Sequence, residues 1–201
     1  MLLKQLTDVR LIVAFVLLLA GAGCSNVSVA PGPEPAADRE EGVTHETRQT
    51  YIKALTLMKK GKYAAAEPLL LDLTGGDPEL SGPYANLGIV YSETGRLVEA
   101  EQALRQAIRI NPANGETYNR LAVLLREQGK FPEALDVYRQ ALNVQPDNRH
   151  AHYNLGILYD LYLGQPQQAL SEYEAYLALA GEDRTVSMWV LDLKRQLKEK
   201  M

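Results

Sequence analysis

The side chains best suited to nucleophilic or metal chemistry in this 201-residue chain are three histidines and a single cysteine. Cys24, being alone, can form neither an internal disulfide nor a zinc–thiolate pair. His45 stands beside a proline-rich stretch. His150 and His152 are two residues apart, a spacing that sends them to different sides of a helix, whereas a metal pair prefers i, i+4 on one face. Neither a glycine-rich phosphate loop nor a nucleophile elbow is present, and Gly75-Gly76 ahead of Asp77-Pro78 reads as a helix stop. Glu101, Arg105 and Arg109 recur at four-residue spacing, the pattern of solvated pairs on an exposed helix face. These residues lead us to expect no catalytic residue, no metal site, no cofactor and no small-molecule substrate. A formal net charge of -4 without a Lys/Arg cluster provides no field for phosphates, so nucleic acid is not an expected partner.

The position of Cys24 gives it a different chemistry. Lys4 and Arg10 precede an uncharged run from Leu11 to Ala20, which ends in the small residues Gly21-Ala22-Gly23. A basic start, an apolar middle and small residues form the layout of a secretory signal. The run is short of the ~20 residues a helix needs to span a bilayer. Ala20-Gly21-Ala22-Gly23-Cys24 resembles the bacterial lipobox, with Gly21 in place of the usual leucine. The resemblance implies that residues 1–23 are removed and that Cys24 is lipidated and becomes the first residue of the mature chain. It also implies that Ser25, not being Asp, directs the product to the periplasmic face of the outer membrane; an inner-membrane anchor is the alternative. From Ser25 to about Thr44 the residues are small, polar or proline, with Pro31, Pro33 and Pro35 followed by Asp38-Arg39-Glu40-Glu41. Such a segment buries too little apolar area to offset its ordering entropy, so residues 24–46 read as an extended tether.

The rest of the chain, 46% hydrophobic overall and 23% charged, has the balance of a folding polypeptide. Shifted against itself by 34 it aligns Gly61, Gly95 and Gly129; Ala66, Ala100 and Ala134; and Pro78, Pro112 and Pro146. One unit reads Tyr84, Leu87-Gly88, Tyr91, Gly95, Ala100, Leu104, Ala107 and Pro112. The next reads Tyr118, Leu121-Ala122, Leu125, Gly129, Ala134, Tyr138, Ala141 and Pro146. Leu87 and Tyr91 share a helix face, and Gly88 or Ala122 lets a second helix come close. The repeated glycine ends the first helix, Phe131-Pro132-Glu133 opens a second, and Asn111-Pro112 or Gln145-Pro146 closes it.

This pattern resembles the tetratricopeptide repeat. The resemblance implies an all-α fold: a right-handed superhelix of antiparallel hairpins at 47–80, 81–114, 115–148 and 149–182, with a capping helix at 183–201. The fourth unit keeps Leu155-Gly156, Tyr159, Gly164, Ala169 and Tyr173 but carries one extra residue between Tyr159 and Gly164, so a locally widened first helix is expected there. In the first unit Lys53 replaces the usual leucine, and Pro68 is expected to kink or shorten the second helix. His152 takes a position usually given to a bulky aromatic, which packing accounts for. Val186, Trp189, Val190, Leu193 and Leu197 form the apolar face of the capping helix.

Carried over by the same shift, the family's concave groove has one line at Tyr51, Ala85, Asn119 and Tyr153. A second runs through Leu55, Ile89, Val123 and Ile157, and a third through Met58, Ser92, Arg126 and Asp160. Family members that clamp a terminal carboxylate use Lys, Arg and Asn on the first two lines. Only Asn119 qualifies here, so no such clamp is expected. The central aliphatic line suits an apolar or amphipathic partner segment, or else it is buried between helices and contributes to stability alone; the chain's own C-terminal helix is a further candidate occupant. Lipoproteins that this chain resembles act in pilus or secretion assembly, cell-wall enzyme docking, or energised transport and motility. The expected function is therefore a lipid-anchored protein-binding scaffold of an envelope complex, with self-association as the alternative.

Overall fold

A computed structural model describes residues 43–199. Cys24, the apolar run and most of the proline-rich stretch lie outside the described residues. What is described folds as antiparallel hairpins: α1 (His45–Lys59) with α2 (Tyr63–Gly76), α3 (Ser81–Glu93) with α4 (Leu97–Ile110), and α5 (Gly115–Glu127) with α6 (Phe131–Val144). In the fourth, α7 (Arg149–Ile157) runs into a π-helix (Leu158–Tyr162) and pairs with α8 (Pro166–Ala180); α9 (Arg184–Glu199) follows. Each second helix also packs on the first helix of the next unit, and α9 packs on α8.

Local chemistry sets the boundaries. The Thr44 side chain accepts from the Thr47 N–H at 3.1 Å, so α1 begins at His45. The stretch read as tether to residue 46 therefore ends two residues earlier, and His45 belongs to a helix. Asn114, Asn148 and Asp183 cap α5, α7 and α9 in the same way, at 3.1, 3.0 and 3.0 Å. Gly61, Gly95 and Gly129 turn the chain with φ of 68°, 78° and 75°, a left-handed conformation that strains any residue with a β-carbon. Behind each glycine the next N–H reaches back to the first helix, as Lys62 does to the Leu57 carbonyl at 2.9 Å. In the fourth unit Gln165 reaches Tyr159 instead, one residue further, because the extra residue is wound into the π-helix.

Pro68 does not shorten its helix: α2 has 14 residues, as do α4 and α6. Proline deprives only the Ala64 carbonyl of its helical donor, and both residues face water. Gly75 and Gly76 are the last residues of α2, and extended Asp77 makes the stop.

The large core cluster runs from α4 to α9 through Leu121, Leu125, Tyr138, Leu158 and Tyr173 to Val186, Val190 and Leu193. A smaller one, around Ala54, Ala66, Leu70 and Val90, holds α1 to α3. Leu87, Leu121 and Leu155 are 3%, 2% and 2% exposed, each on a helix covered by the unit before it. Lys53 stands at their register in α1, which no described helix precedes, and is exposed. The indole of Trp189 in α9 lies 5.4 Å from the Tyr173 ring, so this helix closes the apolar end of the stack.

His152, at the register of Tyr84 and Tyr118, is half-buried and held by more than packing. Its Nδ1 is 2.7 Å from a Glu172 carboxylate oxygen and its Nε2 3.0 Å from the Pro146 carbonyl. With an acceptor at each nitrogen, the imidazolium can donate twice. The Glu172 bond above all, and then the Pro146 carbonyl, raise its pKa above the ordinary histidine value despite burial. A raised folded-state pKa stabilises the fold fully below the unfolded value near 6.5, and that contribution is lost as pH rises through the folded one. Melting between pH 6 and 9 should show the wild type losing roughly 2–4 °C more than His152→Phe, which corresponds to the about 1 kcal/mol by which a charge-assisted bond exceeds the neutral one left after deprotonation. Parallel pH profiles would refute this.

Candidate protein-binding groove

The first helices of units two, three and four lie side by side, with α3 against α5 and α5 against α7. Between them opens a cavity of about 500 Å³. Its apolar lining is Ile89 from α3, Val123 and Leu124 from α5, Tyr153 from α7, and Leu104 reaching across from α4. Leu104 gets there because Gly88 lacks a side chain: a β-carbon at residue 88 would come within 2.5 Å of Leu104 Cγ. Tyr153 is braced from behind, 5.2 Å from the Tyr176 ring and 6.1 Å from Trp189. The wall is therefore fixed by the capping helix.

The polar lining is more specific. Asn119 is only 3% exposed, and its side-chain oxygen accepts from Asn154 Nδ2 at 3.1 Å, a bond between successive units. Between the first two units Asn86 Nδ2 donates to the Tyr51 hydroxyl at 2.6 Å. On the rim, Glu116 holds Arg120 at 3.1 Å and His150 at 3.3 Å. Glu93, Glu127 and Ser92 complete the lining.

Of the residues expected in a groove, the cavity gathers Ile89, Asn119, Val123 and Tyr153, with Ser92. Tyr51, Leu55, Met58, Ala85, Arg126 and Ile157 lie outside its lining. Leu55 is the most open of the central line at 38% exposure, whereas Ile89, Val123 and Ile157 are half-buried. Arg126 lies over the Tyr162 ring, 5.8 Å from its centroid, and its Nε is buried without a hydrogen bond. Asp160 has its pKa raised, chiefly by burial, while a hydrogen bond from Tyr173 opposes the shift. The carboxylates at Glu93 and Glu127 escaped the sequence reading, although they share a register 34 residues apart.

Among the described residues no group of three His, Cys, Asp or Glu side chains could hold a metal, and no helix is long and apolar enough to cross a membrane. Arg105 pairs with Glu101 at 2.9 Å, which also holds Lys130 at 2.9 Å, an exposed ladder between units two and three. What the cavity offers is an apolar floor with hydrogen-bonding walls, a surface for a peptide segment.

A tetratricopeptide repeat family model matches residues 57–124, and a second TPR repeat model matches residues 124–160. The two together cover more than half of the 201 residues. The chain belongs to the tetratricopeptide-repeat family. Among solved structures it is similar to pilF of Pseudomonas aeruginosa, with 25% identity over 77% of this chain and 70% of that one and a TM-score of 0.69. MamA of Desulfovibrio magneticus RS-1 is 15% identical over 78% of this chain and 88% of its own, with a TM-score of 0.65. A tetratricopeptide repeat protein of Parabacteroides merdae is 21% identical over 78% and 62%, with a TM-score of 0.64. No curated protein matches the sequence. The all-helical superhelical fold is that of these neighbours, and tetratricopeptide-repeat proteins generally mediate protein–protein interactions. Such a repeat scaffold is generally non-enzymatic.

Proposed function

We propose that the chain is a lipid-anchored adaptor of the bacterial cell envelope, held by Cys24 at the periplasmic face of the outer membrane, whose groove takes a segment of a partner protein during assembly of an envelope complex. The observation that carries the binding half is the cavity between α3, α5 and α7, open, apolar at its floor and walled by ordered asparagines. The anchoring half is supported by the placement of the chain's one cysteine behind an apolar run and three small residues.

The test is a crosslinked capture of the full lipidated chain from its own cells, beside a Leu55→Glu/Ile89→Glu/Val123→Glu variant shown by circular dichroism to be folded. The variant places charge on an apolar surface and should reduce recovery of the partner at least tenfold. Capture of the same set by both proteins would move the function to another face. Recovery of the chain's own second copy would make it a self-associating structural element.

A further inference from the structure

Glu93 and Glu127 are the final residues of α3 and α5. The negative end of the helix dipole makes that the least favourable place for a carboxylate. In α1 the same register carries Lys59, which suits the dipole. The two acids thus occur only in units that line the cavity, and among the described residues neither makes a hydrogen bond or ion pair. The basic side chains on the same rim are committed elsewhere, since Arg120 and His150 both face Glu116. Independently, Asn119 is almost wholly buried against the cavity with its oxygen engaged by Asn154, and its own amide N–H groups meet no acceptor among the described residues. A spare amide donor there is placed to meet a main-chain carbonyl. A helical ligand has spent its carbonyls internally, whereas a polyproline II segment leaves them free.

Resting on the groove reading above, we propose that the partner enters as an extended, basic segment whose backbone Asn119 holds and whose Lys or Arg side chains, three residues apart, pair with Glu93 and Glu127. Neighbouring packed helices are roughly 10 Å apart. A polyproline II chain repeats its side-chain direction every three residues, at about 3.1 Å per residue, so positions i and i+3 fall near that interval on one side. The apolar residues between them face Ile89 and Val123. The chain's own proline-rich stretch does not meet this requirement, because Glu34, Asp38, Glu40 and Glu41 would be repelled by the same rim.

The probe is a set of fluorescein-labelled octapeptides titrated with the full chain in detergent, read by anisotropy. One contains Lys-Val-Pro-Lys; an isomer has adjacent lysines, and a third has Glu for both Lys. The first should bind about tenfold tighter than either control, and Glu93→Gln/Glu127→Gln should abolish that margin. Both substitutions are on the surface at helix ends, so folding is not at risk. Equal binding of all three peptides, or an unchanged margin in the double variant, overturns the proposal. If binding also survives Val123→Glu, the groove reading falls with it; if Val123→Glu abolishes binding that is indifferent to charge, only this inference falls.

Discussion

A Gly156→Leu protein should melt at least 6–12 °C below the wild type, a loss of about 3 kcal/mol for a chain of this size. Gly156 is the point where α7 crosses α8, and a β-carbon there would lie 2.5 and 2.6 Å from two ring carbons of Tyr173. That ring is 1% exposed and cannot swing away, with the Trp189 indole 5.4 Å behind it. Alanine alone would set an overpacking cost of about 1–3 kcal/mol against about 1 kcal/mol of recovered helix propensity. Leucine adds bulk with no further gain. The repeat contains its own control: at the same register, units one and three carry Ala54 and Ala122, both fully buried. The register thus accepts a methyl in units one and three, and the closeness of Tyr173 is what forbids it in unit four. A Leu variant melting within about 2 °C of wild type would refute this account.

A Cys24→Ser protein should disappear from the membrane fraction or persist there only as the uncleaved precursor, and should incorporate no palmitate. Each buried methylene contributes about 0.8 kcal/mol, so one acyl chain holds marginally while several hold almost permanently. A serine hydroxyl is a far weaker nucleophile than a thiolate and should take up none of them. The mass of the product separates the proposal from its simplest rival. If the apolar run were a permanent anchor, wild type and variant would both retain residues 1–23 and stay membrane-bound. A processed, membrane-bound variant would defeat the lipid-anchor reading altogether.

Much of the architecture could be read from spacing alone, because a repeat imposes the same backbone problem at each turn. Gly61, Gly95 and Gly129 recur at 34 and all take positive φ; one extra residue after Tyr159 predicted a widened helix and is a π-helix. Pro68 misled because its cost depends on whether the orphaned carbonyl meets water, and burial is a property of the stack. The bond from Asn154 to Asn119 joins different registers of adjacent units, 35 residues apart, and so is invisible to a shift of 34. Glu93 and Glu127 were overlooked for the opposite reason: they repeat faithfully, but at the end of the helix, beyond the lines that a groove-facing stripe picks out. Their meaning depended on seeing that no cation among the described residues pairs with them.

The division of the core into two clusters bears on mechanics. Only Ala54 of α1 is fully buried, and the cluster holding the first hairpin is the smaller. If the chain hangs from residue 24 as proposed, a pull from a bound partner would enter through α1 and load the less buried first hairpin before the groove and its aromatic end plate. The first hairpin would then act as a sacrificial spring, lengthening the reach of the bound assembly before the grip itself is strained.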